Sequence, residues 1–308
     1  MRKIILLCAT FFTTALSMSA SPVQAQNVLW VGPNGSDGNA CSQTSPCATF
    51  QGAINKGSVA EINCLGSGNY GQFTVTASIT VDCGAGNVGN VAFTSGNAAI
   101  TVNASSANVI LRHLSVNGEP MGNAVSNGIN ASGLASGTLI VENCMVQGIT
   151  IGVAIVVAPN SGRVLLQVSN SQMFNNLTGI SVQPSSGQIA SVTLNNVELV
   201  GNGTGMTFGA AGIVAGTMRK SVVGANSEGL IAAAGQVFFT VEESSIVDNT
   251  AHGIHTFSAG AVVNVGNSTI GGNGTGVFAE HGSIISFGNN QMSANASNGA
   301  FTGTTPLR

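Results

Sequence analysis

Apolar and polar residues alternate in short runs along this chain, and the runs return at a nearly fixed spacing. The stretch 163–208 holds one phrase twice: Asn170, Asn176 and Gly179 recur 26 residues later as Asn196, Asn202 and Gly205. A period of this length marks a repeat architecture. The glycine returns as Gly152, Gly179, Gly205, Gly229, Gly253, Gly276 and Gly299, and an asparagine shortly before it as Asn176, Asn202, Asn226, Asn249, Asn273 and Asn295. A reference column is supplied by Asn143, Asn170, Asn196, Lys220, Glu243, Asn267 and Asn289. Two residues before it stand Val141, Val168, Leu194, Met218, Val241, Val265 and Phe287; four before it stand Leu139, Leu166, Val192, Gly216, Phe239, Val263 and Ile285. Three after it come Val146, Met173, Leu199, Val223, Ile246, Ile270 and Met292, and directly after the glycine come Val153, Ile180, Met206, Leu230, Ile254 and Val277.

Each repeat thus carries three short segments of period two, the signature of strands. Three strands and three bends per coil predict an all-β chain wound as a parallel β-helix, with like residues stacked about 4.8 Å apart. Parallel crossovers are overwhelmingly right-handed, so a right-handed helix is expected. The asparagines fit this plan, because a sharp bend favours a residue tolerant of the left-handed region. Stacked amides can also hydrogen-bond along a ladder. Asn170, Asn196, Asn176, Asn202, Asn226, Asn249, Asn273 and Asn295 are the predicted ladder members. Ladder membership also accounts for the sequon-like Asn176-Leu-Thr and Asn273-Gly-Thr without glycans.

The N-terminal part reads differently. Residues 48–56 hold the one helical pattern, with Phe50, Ala53 and Ile54 on one face and Gly57 where a helix stops. A helix followed only by strands predicts a cap on a solenoid, whose open end would expose core and strand edge. Arg2 and Lys3 precede an apolar run from Ile4 to Leu16, and Val23-Gln24-Ala25 reads as a cleavage site, so residues 1–25 are expected to be a secretory signal peptide. The predicted organisation is this leader, a lead-in segment with the capping helix over 26–60, and the solenoid over 61–308. No later apolar stretch has the length of a membrane-spanning helix. The expected location is secreted, periplasmic or at the cell surface.

Composition sharpens the picture. Only 6% of residues are charged while 44% are hydrophobic, so the chain folds. Eight Lys and Arg, two of them in the leader, stand against 11 Asp and Glu. That balance offers no footprint for nucleic acid or an anionic membrane. An oxidising compartment permits disulfides. Cys41 with Cys47 and Cys64 with Cys83 is the economical pairing, although four cysteines allow three connectivities.

The segment Pro46-Cys-Ala-Thr-Phe-Gln-Gly-Ala-Ile-Asn, then Glu61-Ile-Asn-Cys-Leu and Gly68-Asn-Tyr-Gly, resembles the opening of pectin-lyase-like β-helix proteins. The Asn-x-x-Gly coils are similar to the repeat of the same superfamily. The resemblance covers nearly the whole chain after the leader. It implies the fold, but this fold carries lyases, hydrolases, esterases, tailspikes and non-enzymes. It also implies, for an enzyme, carboxylates binding Ca²⁺ beside an Arg or Lys base, or grouped aspartates, on the face formed by the third strand of each coil.

Outward positions on that strand are expected to be Ala154, Ser181, Thr207, Ile231, His255, Phe278 and Phe301, followed by Val156, Gln183, Gly209, Ala233, Phe257 and Glu280. None is Asp, Arg or Lys, and after the leader the aspartates are Asp37, Asp82 and the distant Asp248. Glycoside hydrolysis needs two carboxyls at one bond, and Ca²⁺ needs several oxygens. The enzymatic pattern is not met, and neither a cofactor nor a metal is expected. His255, Phe257, Phe278 and Glu280 should instead gather as an exposed aromatic patch, which either holds a glycan or is covered structurally. His252 should sit beside Glu228. Arg219 and Lys220 should lie over Glu242 and Glu243 as a cross-strand charge ladder. Cys144 stacks in the column of Ser171, Val197, Ser221, Ser244 and Ser268 and should be buried and inert, which sets aside a Cys144/His113/Glu142 nucleophile.

The leading expectation is therefore a secreted, non-catalytic β-helix that binds extended glycans or presents a stable surface. One alternative is a polysaccharide lyase or glycosidase with its acid and base among His255, Glu280, His281, His252 and Glu228. Another is a structural or adhesive surface component.

Overall fold

The structure is a computed structural model describing residues 27–92, 98–118, 127–209 and 211–305; the predicted leader lies outside them. The chain winds as a parallel β-helix. One ten-stranded sheet holds the third segment of every coil, and a 20-stranded sheet holds the first two segments, which continue into one another around a bend. Every strand pairing is parallel; Arg163–Phe174, for example, lies between Ser136–Glu142 and Ile189–Val200.

Core columns follow from the pattern. Leu139, Leu166, Val192, Gly216, Phe239 and Val263 are successive partners, as are Val146, Met173, Leu199, Val223, Ile246, Ile270 and Met292. Period-two alternation turns these inward and their neighbours to solvent.

Two asparagine columns hold the bends, and they work differently. Asn143, Asn170, Asn196 and Asn267 sit in the first bend at φ 46–55°, sharing that conformation with Lys220 and Glu243. This column is solvent-facing, and Asn196 Nδ2 donates to Asn170 Oδ1 at 2.9 Å. In the second bend the left-handed residue is instead the one before the ladder: Asn175, Gly201, Ala225, Asp248, Gly272 and Ala294. The ladder side chains themselves point inward, and Asn176, Asn202, Asn226, Asn249 and Asn273 are buried. Each amide is fully used. Asn202 Nδ2 donates to Asn226 Oδ1 and to the Met173 carbonyl, and its Oδ1 accepts from the N–H and Nδ2 of Asn176. A buried polar column is tolerable only when satisfied in this way.

The recurrent glycine lies beside that ladder because backbones approach closely there. A Cβ on Gly205 would meet the Gly229 carbonyl oxygen at 2.7 Å. In two coils the register differs from the sequence reading. Ile155, not Val153, pairs with Ile180, so Ala154 takes the glycine position and Val156 faces outward beside Ser181. At the C-terminal end Ile284 and Ser286 pair with Val263 and Val265, displacing Ile285 and Phe287 from the inward columns, while Gly299 pairs with Val277. In both places the bends hold extra residues, and Asn290 takes the place of the serine column by accepting the Ser268 N–H.

The capping helix is shorter than predicted, Phe50–Ile54, with Thr49 Oγ1 accepting the Gly52 N–H at 2.8 Å. Asp37 clamps its start, accepting from the N–H groups of Ala48 and Thr49 and from Thr49 Oγ1. Phe50 is buried against Tyr70 and Phe73, closing the end of the core. Val28–Val31 in the lead-in segment already pairs with Glu61–Cys64. The disulfides are Cys41–Cys47 and Cys64–Cys83. Among the described residues no helix is long and apolar enough to cross a membrane.

Candidate functional site

The outward face of the third strands brings the expected group together. Ile231, His255 and Phe278 are successive cross-coil partners, and His252 is paired with Glu228 and Thr275. His252 Nδ1 lies 3.0 Å from Glu228 Oε1, and His255 Nε2 lies 3.3 Å from Glu280 Oε2. Glu280 also lies 3.7 Å from the exposed His281.

His255 is not part of the exposed surface: it is only 3% exposed. Phe257 lies against its ring at a centroid distance of 3.8 Å, Phe278 approaches from the next coil at 4.8 Å, and His252 lies at 4.5 Å. Phe278 also stacks on His252. The outer faces of Phe257 and Phe278 remain 42% and 39% exposed and form the apolar surface of the patch. Burial, then the neighbouring His252, holds the His255 pKa below its ordinary value, and the Glu280 hydrogen bond opposes them. Phe301 does not extend the face; it packs against the core.

A second region was missed by the sequence reading. The first bend is concave, and along it runs an open groove of about 490 Å³ lined by His113, Asn143, Asn170, Gln172, Asn196 and Glu198, among others. His113 occupies the left-handed bend position one coil before Asn143, at φ 56°. Its Nδ1 is 2.8 Å from Asp82 Oδ1, and its Nε2 is 3.5 Å from Asn143 Nδ2. An aspartate accepting from Nδ1–H leaves Nε2 with the lone pair that the Asn143 amide faces. Gln172 Nε2 donates to Glu198 Oε2 at 3.0 Å. Beside the groove, Arg112 is held by Glu142 at 2.8 Å and Asp82 at 4.0 Å. The spacing from His113 to Asn143 is 30 residues, longer than the later coils, which hid His113 from the column.

Cys144 lies at the groove floor but is buried, and burial pushes its thiol up to about 12. Its N–H donates to Ser171 Oγ in a column that continues as Val197 to Ser221, Ser221 to Ser244 and Ser244 to Ser268. A thiol so placed is inert. Arg219 bonds Glu242 and Glu243 on the exposed face, as the charge ladder required.

The sequence matches no protein-family profile, and no curated protein matches it. Among solved structures it is similar to a rhamnogalacturonan lyase (13% identity over 79% of this chain and 76% of the other, TM-score 0.45). It is also similar to a pectate lyase (15%, 82% and 80%, TM-score 0.42). A mannuronan C-5 epimerase A-module from Azotobacter vinelandii gives 11% identity over 83% and 92%, with a TM-score of 0.46. At such distance function has to be read from this chain's own side chains. The fold is the parallel β-helix that the pectin-lyase-like resemblance implies.

Proposed function

We propose that this is an exported β-helix protein that binds an extended glycan of low charge along its first bend. The observation that carries the reading is the groove across successive coils, lined by the outward amides of Asn143, Asn170, Asn196 and Gln172. Amides offer donors and acceptors together, which suits hydroxyl-rich chains. The nearby ionised groups are mainly carboxylates, and Arg112 is already engaged by Glu142 and Asp82, so a polyanionic glycan would meet repulsion. The two disulfides support an oxidising, extracytoplasmic setting. Phe257 and Phe278 offer a further apolar platform on another face, on which sugar rings could stack.

The test is a glycan array with the purified protein and with Asn170→Gly/Gln172→Ala, in which glycine keeps the left-handed bend. Binding to neutral, extended glycans that weakens at least tenfold in the variant, with the thermal midpoint retained, supports the groove. Hits that persist in it but vanish in Phe257→Ala/Phe278→Ala move the site to the aromatic patch. An array without hits removes the reading.

The Asp82–His113 pair favours a second reading, glycan cleavage with His113 Nε2 as general base. New reducing ends should then form with the bound neutral glycan. His113→Asn, which tolerates the same backbone, should stop this while binding persists.

A further inference from the structure

We propose that Glu228, His252 and His255 form a site for one divalent transition-metal ion, with Zn²⁺ the first choice. Each side chain offers one ligand atom, and the three atoms all lie within 4.8 Å of one another. The residues come from adjacent coils: Glu228 is the cross-coil partner of His252, and His255 follows three positions along the same strand. Stacking therefore assembles a two-histidine, one-carboxylate group that linear spacing does not display.

A second observation points to a ligand. His255 is buried, and its Nδ1 has no hydrogen-bond partner. Leaving a buried polar atom unpaired costs about 1–3 kcal/mol. Its other nitrogen, Nε2, is held by the Glu280 carboxylate. A carboxylate on one imidazole nitrogen, with the other free to coordinate, is the usual outer arrangement of a metal-binding histidine. Phe257 and Phe278 pack on the two imidazoles and supply an apolar wall.

Two imidazoles and one carboxylate suit Zn²⁺, Ni²⁺ or Cu²⁺ rather than Ca²⁺ or Mg²⁺, which take oxygen ligands. Ligand atoms on one tetrahedral Zn²⁺, each about 2.0–2.1 Å from the ion, stand roughly 3.4 Å apart. The group must therefore contract by up to about 1.4 Å at its widest. The His252 and Glu228 side chains are partly exposed, at 25% and 24%. The ion would sit where His252 Nδ1 and Glu228 Oε1 now meet at 3.0 Å. The other ionisable groups at the cluster are Glu280 and, beyond it, His281. This site stands independently of the glycan groove, which lies on another bend and involves other residues.

The experiment uses untagged full-length protein, stripped with a chelator and titrated with ZnCl₂ by calorimetry at pH 7.5. Co²⁺ serves as an absorbing probe of the ligand set. The expected result is one equivalent per chain, a raised thermal midpoint, and Co²⁺ d–d bands of low coordination number. His252→Ala and Glu228→Gln, both at half-buried positions, should each weaken uptake at least tenfold while keeping the strand circular dichroism. His281→Ala should leave it unchanged. Failure of the folded wild-type protein to take up Zn²⁺ or Co²⁺ overturns the proposal, as does uptake that survives both His252→Ala and Glu228→Gln.

Discussion

At the scale of single residues, the buried ladder makes the sharpest demand. Asn226 accepts the N–H and Nδ2 of Asn202 and donates to the Leu199 carbonyl and Asn249 Oδ1. Asn226→Ala removes four buried hydrogen bonds and leaves the Asn202 N–H without its acceptor, so it should cost about 3 kcal/mol, read as a shift in the urea midpoint. Asn295→Ala, half-exposed at the end of the column, should cost about 1 kcal/mol, because water replaces what is lost. Sequence alone located the five buried asparagines and the half-exposed Asn295, since a side chain with one job in every coil must recur. It merged two jobs into one, however. The left-handed bend belongs to Asn170 and Asn196, whereas Asn176 and Asn202 are held for their amides. His255 gives a second test. Its pKa lies below the ordinary value of 6.5, so the unfolded chain takes up this proton at a higher pH than the folded one. The contribution is fully present above about pH 6.5 and is lost as the pH falls toward the folded value. In chelator-treated protein, the thermal midpoint should fall more steeply between pH 7 and 5.5 in the wild type than in His255→Gln. Equal slopes would contradict the burial described here.

At the scale of elements, the strands were legible and the bends were not. A strand writes its two faces into a period of two, so one misplaced residue is visible. A bend has no such period, and extra residues before Val153 and around Gly288 passed unseen, shifting the inferred columns there. The groove escaped for the same reason: His113 belongs to the bend column, but a longer coil separates it from Asn143. The aromatic group was legible because all its members lie on strands or directly after them. What could not be read was burial, since Phe257 closing over His255 is a matter of side-chain direction. The cap is an element with one weak point. Asp37 makes three hydrogen bonds to Ala48 and Thr49 and so fixes where a five-residue helix begins. Such a helix is too short to hold itself together. Asp37→Ala should cost about 2 kcal/mol and increase hydrogen exchange in Val28–Val31 and Glu61–Cys64 before the central coils respond.

At the scale of the whole molecule, a solenoid is close to a sum of coils and their contacts, so an entire coil is a removable unit. Excising residues 226–248 joins Ala225 to Asn249. Ala225 and Asp248 have matching left-handed angles, φ 52° and 56°, and each precedes a ladder asparagine. The shortened chain should keep its strand spectrum and a cooperative melt at a lower temperature. Removing only 226–237 leaves two segments of a coil unmatched and should prevent folding. The excision also separates the functional readings. The groove residues His113 to Glu198 lie upstream and are untouched, so glycan binding there should persist within a fewfold. Glu228 is lost with the coil while His252 and His255 remain, so uptake of Zn²⁺ should collapse. A folded excision variant that binds Zn²⁺ like the wild type would show that register between adjacent coils does not build that site. If the half-coil deletion folded as well as the whole-coil one, the stacking that organises every column described here would itself be in error.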